Sequence, residues 1–302
     1  MSLRYCLRHY THYHYEEPVE QAQNQIRMLL RQDVPGQRVE QRTVRIHPRP
    51  AYGKLQDDFF GNRTLYLEVD QPHHDFKLFL KHYVQREAQP ATRQSPAWDH
   101  VAARLRAGTD ETSRRMHLYT LASPKAPLSP SLAAFAAPLF PAGRPLDEAA
   151  LALTRHIHRN FKFDPKVTSV TTPVAEVLEK KRGVCQDFAQ LMIAALRSLG
   201  LAARYVSGYL ETLPPPGKTR LVGADASHAW VSVWCPENGW LDFDPTNNNV
   251  PGERYLVTAW GRDYEDVIPM NGVIRGGGGK STLQVKVDVE PQAATADHPE
   301  SV

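Results

Sequence analysis

The stretch from Gly183 to Gly200 constrains the fold more than any other, because its pattern is that of one helix with a buried face. Its apolar side chains recur at the i, i+3, i+4 and i+7 spacing of a helix. They are Phe188, Leu191, Met192, Ala195, Leu196 and Leu199. Gly183 is expected to loosen the chain before the helix, and Gly200 to form a left-handed C-terminal cap. Cys185 then lies in the first turn, where free N–H groups and the helix dipole favour a thiolate.

Two alternating runs further along the chain place an imidazole and a carboxylate on neighbouring strands. The runs 227–234 and 240–244 alternate as strands, with the turn sequence Pro-Glu-Asn-Gly between them. His228 belongs to the first strand, and Asp244 ends the second, just before a proline. A thiol, an imidazole and a carboxylate are the components of an activated-thiol site. A lone buried cysteine is more often a small hydrophobic residue, so the downstream pair carries this interpretation.

These segments resemble the core of the bacterial transglutaminase-like superfamily, which has a papain-like fold and also includes cysteine peptidases and amidases. The resemblance is carried by Gly-Val-Cys-Gln-Asp-Phe-Ala at 183–189, His-Ala-Trp at 228–230 and Asp-Pro-Thr-Asn at 244–247. It extends to the β-rich N-terminal region of one bacterial branch, from Leu3 to about Glu87. The motifs there are Pro-Gly-Gln at 35–37 and Asp-Phe-Phe-Gly-Asn at 58–62, and the segment 261–267 resembles the one that follows the core.

The resemblance implies a catalytic triad of Cys185, His228 and Asp244, with no cofactor and no metal. His228 would take the thiol proton, Asp244 would orient the ring, and the thiolate would attack a carboxamide or peptide carbonyl. The backbone N–H of Cys185 would be one oxyanion donor; the second stays open, although Gln186 is adjacent. Because the branch is described as peptidase-like, we expect hydrolysis of a peptide or amide bond through a thioester. A transamidase and a catalytically silent peptide-binding module remain alternatives.

The composition of the chain divides it into five segments. Residues 1–90 alternate as strands. Residues 91–145 are a proline-rich connection with one short helix near Trp98. We expect a linker on the surface, and the alternative is a segment that drapes over the active-site side. Residues 146–250 form the core, in which Thr172 and Pro173 predict a helix N-cap and first position, and residues 251–290 complete the fold. Residues 291–302 are expected to be a disordered tail. The predicted class is α+β, a papain-like, transglutaminase-like core preceded by an N-terminal antiparallel β domain.

Charge, cysteine content and hydropathy exclude several classes of protein. A net charge of +3 over 302 residues gives no reason to expect nucleic acid or an anionic membrane as a partner. Three cysteines, an odd number, argue against a disulfide framework and for a reducing compartment. The first residues lack a signal-peptide core, and no run approaches the ~18 apolar residues of a membrane span. We therefore expect a cytoplasmic protein whose partner is a peptide or protein substrate.

Three weaker patterns have a plain structural interpretation. His12 and His14 would share a strand face, but no third ligand is visible, so we expect packed or solvated histidines rather than a metal site. The basic run 180–182 suits a helix C-terminus, although it would also attract acidic substrates. The glycines at 276–279 lack the earlier glycine that a phosphate-binding loop requires, so we expect a turn there.

Four further features bear on the predicted site. Arg262 and Asp263 either brace the catalytic loops or form a structural ion pair. The loop Pro-Pro-Pro-Gly at 214–217 would edge a substrate cleft. Cys6 and Cys235 are expected to be dispensable, because Cys6 lies in an N-terminal strand and Cys235 lies on the strand face opposite His228.

Overall fold

Most strands of the described residues form two antiparallel sheets, a larger one built mainly from the N-terminal part and a smaller one from the C-terminal half, and two short strands, 162–163 and 182–183, pair in parallel. The computed structural model describes residues 2–88, 94–165, 172–213 and 227–292. In chain order the strands are β1 (Ser2–Ile26), β2 (Gln37–His47), β3 (Tyr52–Asp57), β4 (Arg63–Val69), β5 (His73–Glu87), β6 (Lys162–Phe163), β7 (Arg182–Gly183), β8 (Ala203–Leu210), β9 (Ser227–Cys235), β10 (Gly239–Phe243), β11 (Tyr255–Gly261), β12 (Met270–Gly276) and β13 (Ser281–Gln292).

One strand of 25 residues, β1, organises the larger sheet. Its first part pairs with β5 on one side and β13 on the other, as far as His14 and Tyr15 respectively. Its last part, from Ala22 to Ile26, pairs with β4 and β12. A shift of register around Val19 separates the two parts. Because β1 serves both halves, the N-terminal strands and the two last strands belong to the same seven-stranded sheet.

Burial alternates from residue to residue along β5, which shows why one face of this sheet packs on the rest of the protein. Every second residue from Phe76 to Arg86 is buried, and the residues between them are partly exposed. Leu78, Leu80 and Val84 are completely buried on this inward face. Because successive side chains of a strand point to opposite faces, one face of the sheet forms a core and the other contacts solvent.

The helices lie between the two groups of strands along the chain. They are α1 (Trp98–Ala107), α2 (Glu111–Met116), α3 (Pro130–Ala136), α4 (Leu146–Asn160), α5 (Val174–Lys180) and α6 (Cys185–Ser198). The observed α5 begins after Pro173, which is its N-cap, so the expected N-cap at Thr172 is one residue too early. Helix α6 ends as predicted, with Gly200 at a φ of 83° in the left-handed region.

Helix α6 is more deeply buried than its sequence pattern indicates. Beyond the predicted apolar stripe, Gln190, Ile193 and Ala194 are also buried, and only its two ends are partly exposed. The reason is that the helix packs against β8 and β9 on one side and against α3, α4 and α5 on others. A helix that is covered all round is the centre of a core rather than its surface layer.

The proline-rich segment is folded onto the core, so the expected surface linker is wrong. Besides the predicted helix α1, it contains α2, α3 and two 3₁₀ turns, and Leu132, Ala136 and Phe140 are buried in the same core cluster as α6. The side chain of Ser129 accepts a hydrogen bond from the N–H of Leu132, and a proline follows at the first helical position. Serine followed by proline is a strong helix start, which explains why this proline-rich sequence becomes helical.

The smaller sheet has the strand order β10-β9-β8-β11 and covers α6. Ala203 and Tyr205 of β8 and Val231 and Val233 of β9 belong to the core cluster that contains the helix. The next strand, β10, pairs with β9 across the turn that the sequence predicts, with Gly239 at a φ of 72°. A helix packed on an antiparallel sheet, preceded by a separate antiparallel sheet, is an α+β architecture.

Two side-chain amides join the larger sheet to β11 of the smaller one. The Gln37 amide donates to the carbonyl of Val257 at 2.9 Å and accepts from its N–H at 2.8 Å. The Asn62 amide makes the same pair of bonds with Trp260, at 2.9 Å each. Both amides are buried, so they take the place of a neighbouring strand along β11.

The end of the chain returns to the N-terminal sheet. Whereas β11 pairs with β8 in the smaller sheet, β12 and β13 pair with β1. Strand β13 includes Pro291 and Gln292, and the rest of the predicted tail, 293–302, lies outside the described residues.

The predicted loop at 214–217 also lies outside the described residues. No helix in the described part of the chain is long and apolar enough to cross a membrane.

Candidate active site

Cys185 is the first residue of α6 and is partly exposed. The chain before it is extended, and the side chain of Asp187 accepts a hydrogen bond at 2.8 Å from the N–H of Val184. A Cβ at Gly183 would lie 2.8 Å from Asp187, so this glycine makes room for the carboxylate. The expected role of Gly183, to loosen the chain, is therefore wrong. The local sequence instead holds the helix start in one conformation, with Cys185 where the backbone N–H groups have no partner within the helix.

His228 and Asp244 are in direct contact. The Nε2 of His228 lies 2.7 Å from Oδ2 of Asp244, and the histidine side chain is only 10% exposed while that of the aspartate is fully buried. His228 is the second residue of β9, and Asp244 follows the last residue of the neighbouring β10. The predicted hairpin thus joins the two side chains across the sheet.

Asp244 is held by a turn that its own carboxylate builds. Oδ1 accepts hydrogen bonds from the backbone N–H groups of Thr246 at 2.9 Å and Asn247 at 3.2 Å. The backbone of Asp244 exchanges two hydrogen bonds with that of Asn249, which closes the turn. Proline between aspartate and threonine cannot donate, so the first two available N–H groups both serve the carboxylate.

Two further side chains complete the environment of Asp244. Its Oδ2 accepts hydrogen bonds from the Asn247 amide at 2.8 Å and from the Tyr255 hydroxyl at 2.9 Å. Tyr255 is the first residue of β11 and is buried. The sequence interpretation assigned no role to either residue. Asn247 could have been found from its place in the Asp-Pro-Thr-Asn turn, whereas the sequence around Tyr255 carries no such signal.

The charges of the site favour a protonated imidazole. Burial by itself would lower the pKa of His228, but the hydrogen bond to Asp244, the negative charge of that carboxylate and the neighbouring Cys185 raise that pKa to about 10. For Asp244, burial by itself would raise the pKa, whereas the hydrogen bond and charge of His228 and the hydrogen bonds of Asn247 and Tyr255 lower it. The site therefore holds a carboxylate and an imidazolium next to the Cys185 thiol.

Aromatic rings form one wall of this site. The His228 ring stacks on Trp230 with an interplanar angle of 27° and a centroid distance of 6.2 Å, and Tyr255 lies 6.1 Å from His228. Burial and the charge of Asp244 raise the pKa of Tyr255, so its hydroxyl stays a hydrogen-bond donor. These rings exclude water from one side of the imidazole and fix its orientation.

Two family models match the chain. The transglutaminase-like superfamily model matches residues 133–245, and the model of the bacterial transglutaminase-like N-terminal region matches residues 5–85. The chain belongs to the transglutaminase-like superfamily. The first match contains Cys185, His228 and Asp244, and the second covers most of the larger sheet. The predicted family and the predicted α+β fold class are confirmed.

The chain is also similar to several relatives and to a solved structure. An uncharacterised protein of Mycobacterium tuberculosis is 37% identical over 301 residues, which are 98% of this chain and 95% of that protein. A protein-glutamine gamma-glutamyltransferase of Pseudomonas aeruginosa is 36% identical over 121 residues, 38% of this chain but 18% of that enzyme. A Cytophaga hutchinsonii structure, described as a candidate cysteine protease, superimposes with a TM-score of 0.73 at 19% identity over 96% of this chain and 91% of that one.

The other charged candidates of this transglutaminase-like protein have local partners. Lys180 forms an ion pair with Glu176 at 2.7 Å, and Arg182 lies 3.8 Å from Asp164. Of the two interpretations of the basic run, the structural one accounts for these contacts. Arg262 pairs with Asp266 at 3.0 Å, so Asp263 is not its partner. The Asp263 carboxylate instead accepts from the backbone N–H groups of Lys125 and Glu265.

Cys6, Cys235, His12 and His14 have surroundings of their own. Cys6 and Cys235 are buried, and Cys235 belongs to the core cluster around α6. His12 and His14 both contact Asp75, at 2.5 Å and 3.3 Å. The described residues contain no group of three or more histidine, cysteine, aspartate or glutamate side chains arranged to hold a metal ion.

Proposed function

We propose that this protein is a thiol-dependent hydrolase of peptide or amide bonds, with Cys185 as nucleophile, His228 as general base and acid, and Asp244 as the group that orients His228. The observation that carries the proposal is the pair formed by His228 and the buried carboxylate of Asp244, in which Nε2 and Oδ2 lie 2.7 Å apart. The Cys185 thiol, at the start of α6, is close enough to raise the pKa of His228. A base that contacts the nucleophile and is itself oriented by a third group is the arrangement that activates a weak nucleophile.

The proposed reaction runs through a thioester. His228 holds the proton of Cys185, and the thiolate adds to the carbonyl carbon of the substrate. The backbone N–H of Cys185 donates to the resulting oxyanion, a contact of the type that contributes about 10²–10³ in rate. The imidazolium then gives its proton to the leaving amine as the C–N bond breaks. Water, deprotonated by His228, attacks the thioester, and the thiol and the acid are released.

A transamidase would use the same thioester but resolve it with an amine. The partial match to the Pseudomonas aeruginosa glutamyltransferase supports this second candidate, although it covers only 38% of this chain. The similarity in fold to the Cytophaga hutchinsonii protein extends over nearly the whole chain and supports the hydrolase. A silent peptide-binding module would have no need of a buried histidine–aspartate pair beside a cysteine at a helix start. We therefore favour hydrolysis.

The test is digestion of a synthetic peptide library, read by mass spectrometry, with and without a labelled primary amine. We expect new free carboxyl termini, little incorporation of the label, and no turnover by Cys185→Ala. Cys235→Ala is the matched control, because that thiol lies in the core away from the site. If more amine label is incorporated than free acid is formed, the transamidase replaces the hydrolase as the proposed function. Turnover that survives Cys185→Ala in a pure preparation would remove the thiol from the mechanism.

A further inference from the structure

A cavity of about 200 Å³ lies where the larger sheet meets the smaller one. β1 and β13 form one wall, with the cross-strand pairs Thr11–Val285 and Tyr13–Leu283, and β8 and β11 form the opposite wall. Two residues that line the cavity are direct neighbours of His228. Ser227 precedes His228 in the chain, and Gly208 is the cross-strand partner of His228 in β8. A ligand group in the cavity would therefore contact residues adjacent to His228, the proposed general base.

Four of the polar side chains that line this cavity already have hydrogen-bond partners. His9 forms hydrogen bonds of 2.8 Å with the hydroxyl of Thr11 and with that of Tyr209, and all three residues are buried. The hydroxyl of Thr258 donates to the carbonyl of Ser207 at 3.0 Å. Burial lowers the pKa of His9 to about 4, so the ring is neutral. These four groups need no ligand, and the surface left for one is more apolar than polar.

The lining contains no aspartate, glutamate, lysine or arginine among the described residues. An ionised side chain placed there would lose its hydration without gaining a partner of opposite charge, which is strongly unfavourable. The volume is below the ~300 Å³ of sites that enclose whole small molecules, so it suits one side chain. The rim is apolar and open, because Leu283 is 54% exposed and Val285 47% exposed.

Strand β13, beside the rim, has one edge that could hydrogen-bond to a peptide. Among the described strands, β13 pairs only with β1, so the other edge of β13 has no strand partner there. An exposed edge can bind an extended peptide by main-chain hydrogen bonds, while alternate side chains enter neighbouring pockets. Exposed apolar side chains at the same place indicate that this edge meets apolar groups of a ligand.

We propose that this cavity is the specificity pocket of the enzyme and that it takes an uncharged, bulky side chain, aromatic or branched aliphatic, of a peptide bound in extended conformation. The assignment rests on the proposed hydrolase function for the identity of the reaction, but the binding preference follows from the cavity itself. The pocket selects against acidic and basic side chains by desolvation, and against small ones by leaving apolar surface uncovered.

The test uses a set of peptides in which each position near the cleaved bond is in turn Phe, Leu, Ala, Asp or Lys. We expect one position at which Phe or Leu raises kcat/KM at least about 20-fold over Ala, Asp and Lys, the range for one filled apolar subsite. Val285→Trp, which blocks the rim, should remove this preference, so that within this variant the Phe and Leu peptides fall to the kcat/KM of the Ala peptide. Leu283→Trp is a second rim variant, and Val273→Trp is the control, since Val273 is exposed on β12 and does not line the cavity.

Failure of the pocket and failure of the hydrolase give different results. Alkylation of Cys185 by iodoacetamide and thermal unfolding show that the rim variants keep their site and fold. Turnover without a bulky uncharged preference, or an equal loss for every peptide in Val285→Trp, would overturn the pocket and leave the hydrolase. If no peptide is cleaved, calorimetry that measures the binding of the Phe and Asp peptides to Cys185→Ala tests the pocket instead. Tighter binding of a Phe peptide than of its Asp counterpart, lost with Val285→Trp, supports the pocket without the hydrolase, and equal binding of both overturns it.

Discussion

The hydroxyl of Tyr255 donates a hydrogen bond of 2.9 Å to Oδ2 of Asp244, the same oxygen that His228 contacts. Tyr255 begins β11, whereas Asp244 follows β10, so the bond joins the two outer strands of the smaller sheet. The oxygen that orients the proposed general base is therefore positioned by a strand that carries none of the three reacting groups.

The first prediction concerns this bond. Tyr255→Phe removes one neutral donor from a buried carboxylate, and a hydrogen bond to a charged group contributes about 1.5–3 kcal/mol. We expect the free energy of unfolding to fall by about that amount and kcat to fall about tenfold, with KM little changed. Denaturant unfolding and steady-state kinetics measure both. Tyr119→Phe is the control for losing a buried hydroxyl, because Tyr119 packs on Trp240 away from the site. Unchanged kcat in Tyr255→Phe would contradict the positioning role.

The second prediction concerns the charge of Asp244. Asp244→Asn keeps the shape of the side chain but removes the negative charge that stabilises the His228 imidazolium. We expect turnover to fall by about 10²–10⁴-fold, while iodoacetamide still alkylates Cys185 at a reduced rate. Asn238→Asp, in the turn between β9 and β10, controls for an Asn/Asp change nearby. Wild-type turnover in Asp244→Asn would show that the carboxylate does not serve the reaction.

The third prediction is a dependence of stability on pH. The pKa of His228 is raised from 6.5 to about 10, so the charged ring adds stability that is fully present below pH 6.5 and is lost as the pH rises toward 10. The pKa of Asp244 is lowered from 3.8, so its contribution is present above pH 3.8 and is lost at lower pH. The destabilisation caused by His228→Gln should therefore be greatest between these two values, 3.8 and 6.5, and shrink above them.

Urea unfolding of wild type and His228→Gln at pH 5, 7 and 9 measures this difference. His100→Gln, at an exposed position of α1, is the control and should give a small difference at every pH. A difference for His228→Gln that stays constant from pH 5 to pH 9 would be inconsistent with a raised pKa in the folded protein.

The fourth prediction concerns the contact between the two sheets. Gln37→Leu leaves the buried N–H of Val257 without its acceptor and the carbonyl of Arg31 without one of its donors. Each unsatisfied buried group is unfavourable by about 1–3 kcal/mol, so we expect a loss of about 3 kcal/mol of unfolding free energy and a lower yield of active protein. Gln41→Leu, on the same strand but exposed, should change little. Equal stability of the two variants would mean that the amide of Gln37 does not hold β11.

The candidate site could be predicted from the sequence because its parts are short and local. The helix that begins at Cys185, the hairpin that carries His228 and the turn that begins at Asp244 each have a period or a turn sequence of their own. Tyr255 and the partners of Gln37 could not be found in this way. The Gln37 amide bonds to a strand 220 residues further along the chain, and no local pattern encodes such a contact.

Two sequence predictions, a linker for the proline-rich segment and a single buried face for α6, were wrong for related reasons. Prolines predicted a linker, but the pair formed by Ser129 and Pro130 starts a helix whose apolar residues are buried on the core. The periodicity of α6 predicted one buried face, yet Ile193 and Ala194 are buried as well, because neighbours cover the helix from several sides. Propensity and period describe a segment, whereas burial depends on what the rest of the chain places around it.

The two amide pairs along β11 bear on how this protein can be divided. A fragment restricted to the residues that match the superfamily core, 133–245, would end before that strand begins and would lack Tyr255. Even a longer piece, started after β5, would expose the bare backbone of Val257 and Trp260 to water. Domain swaps and truncations that remove the first 90 residues should therefore fail, since the larger sheet is a structural component of the half that carries the candidate site.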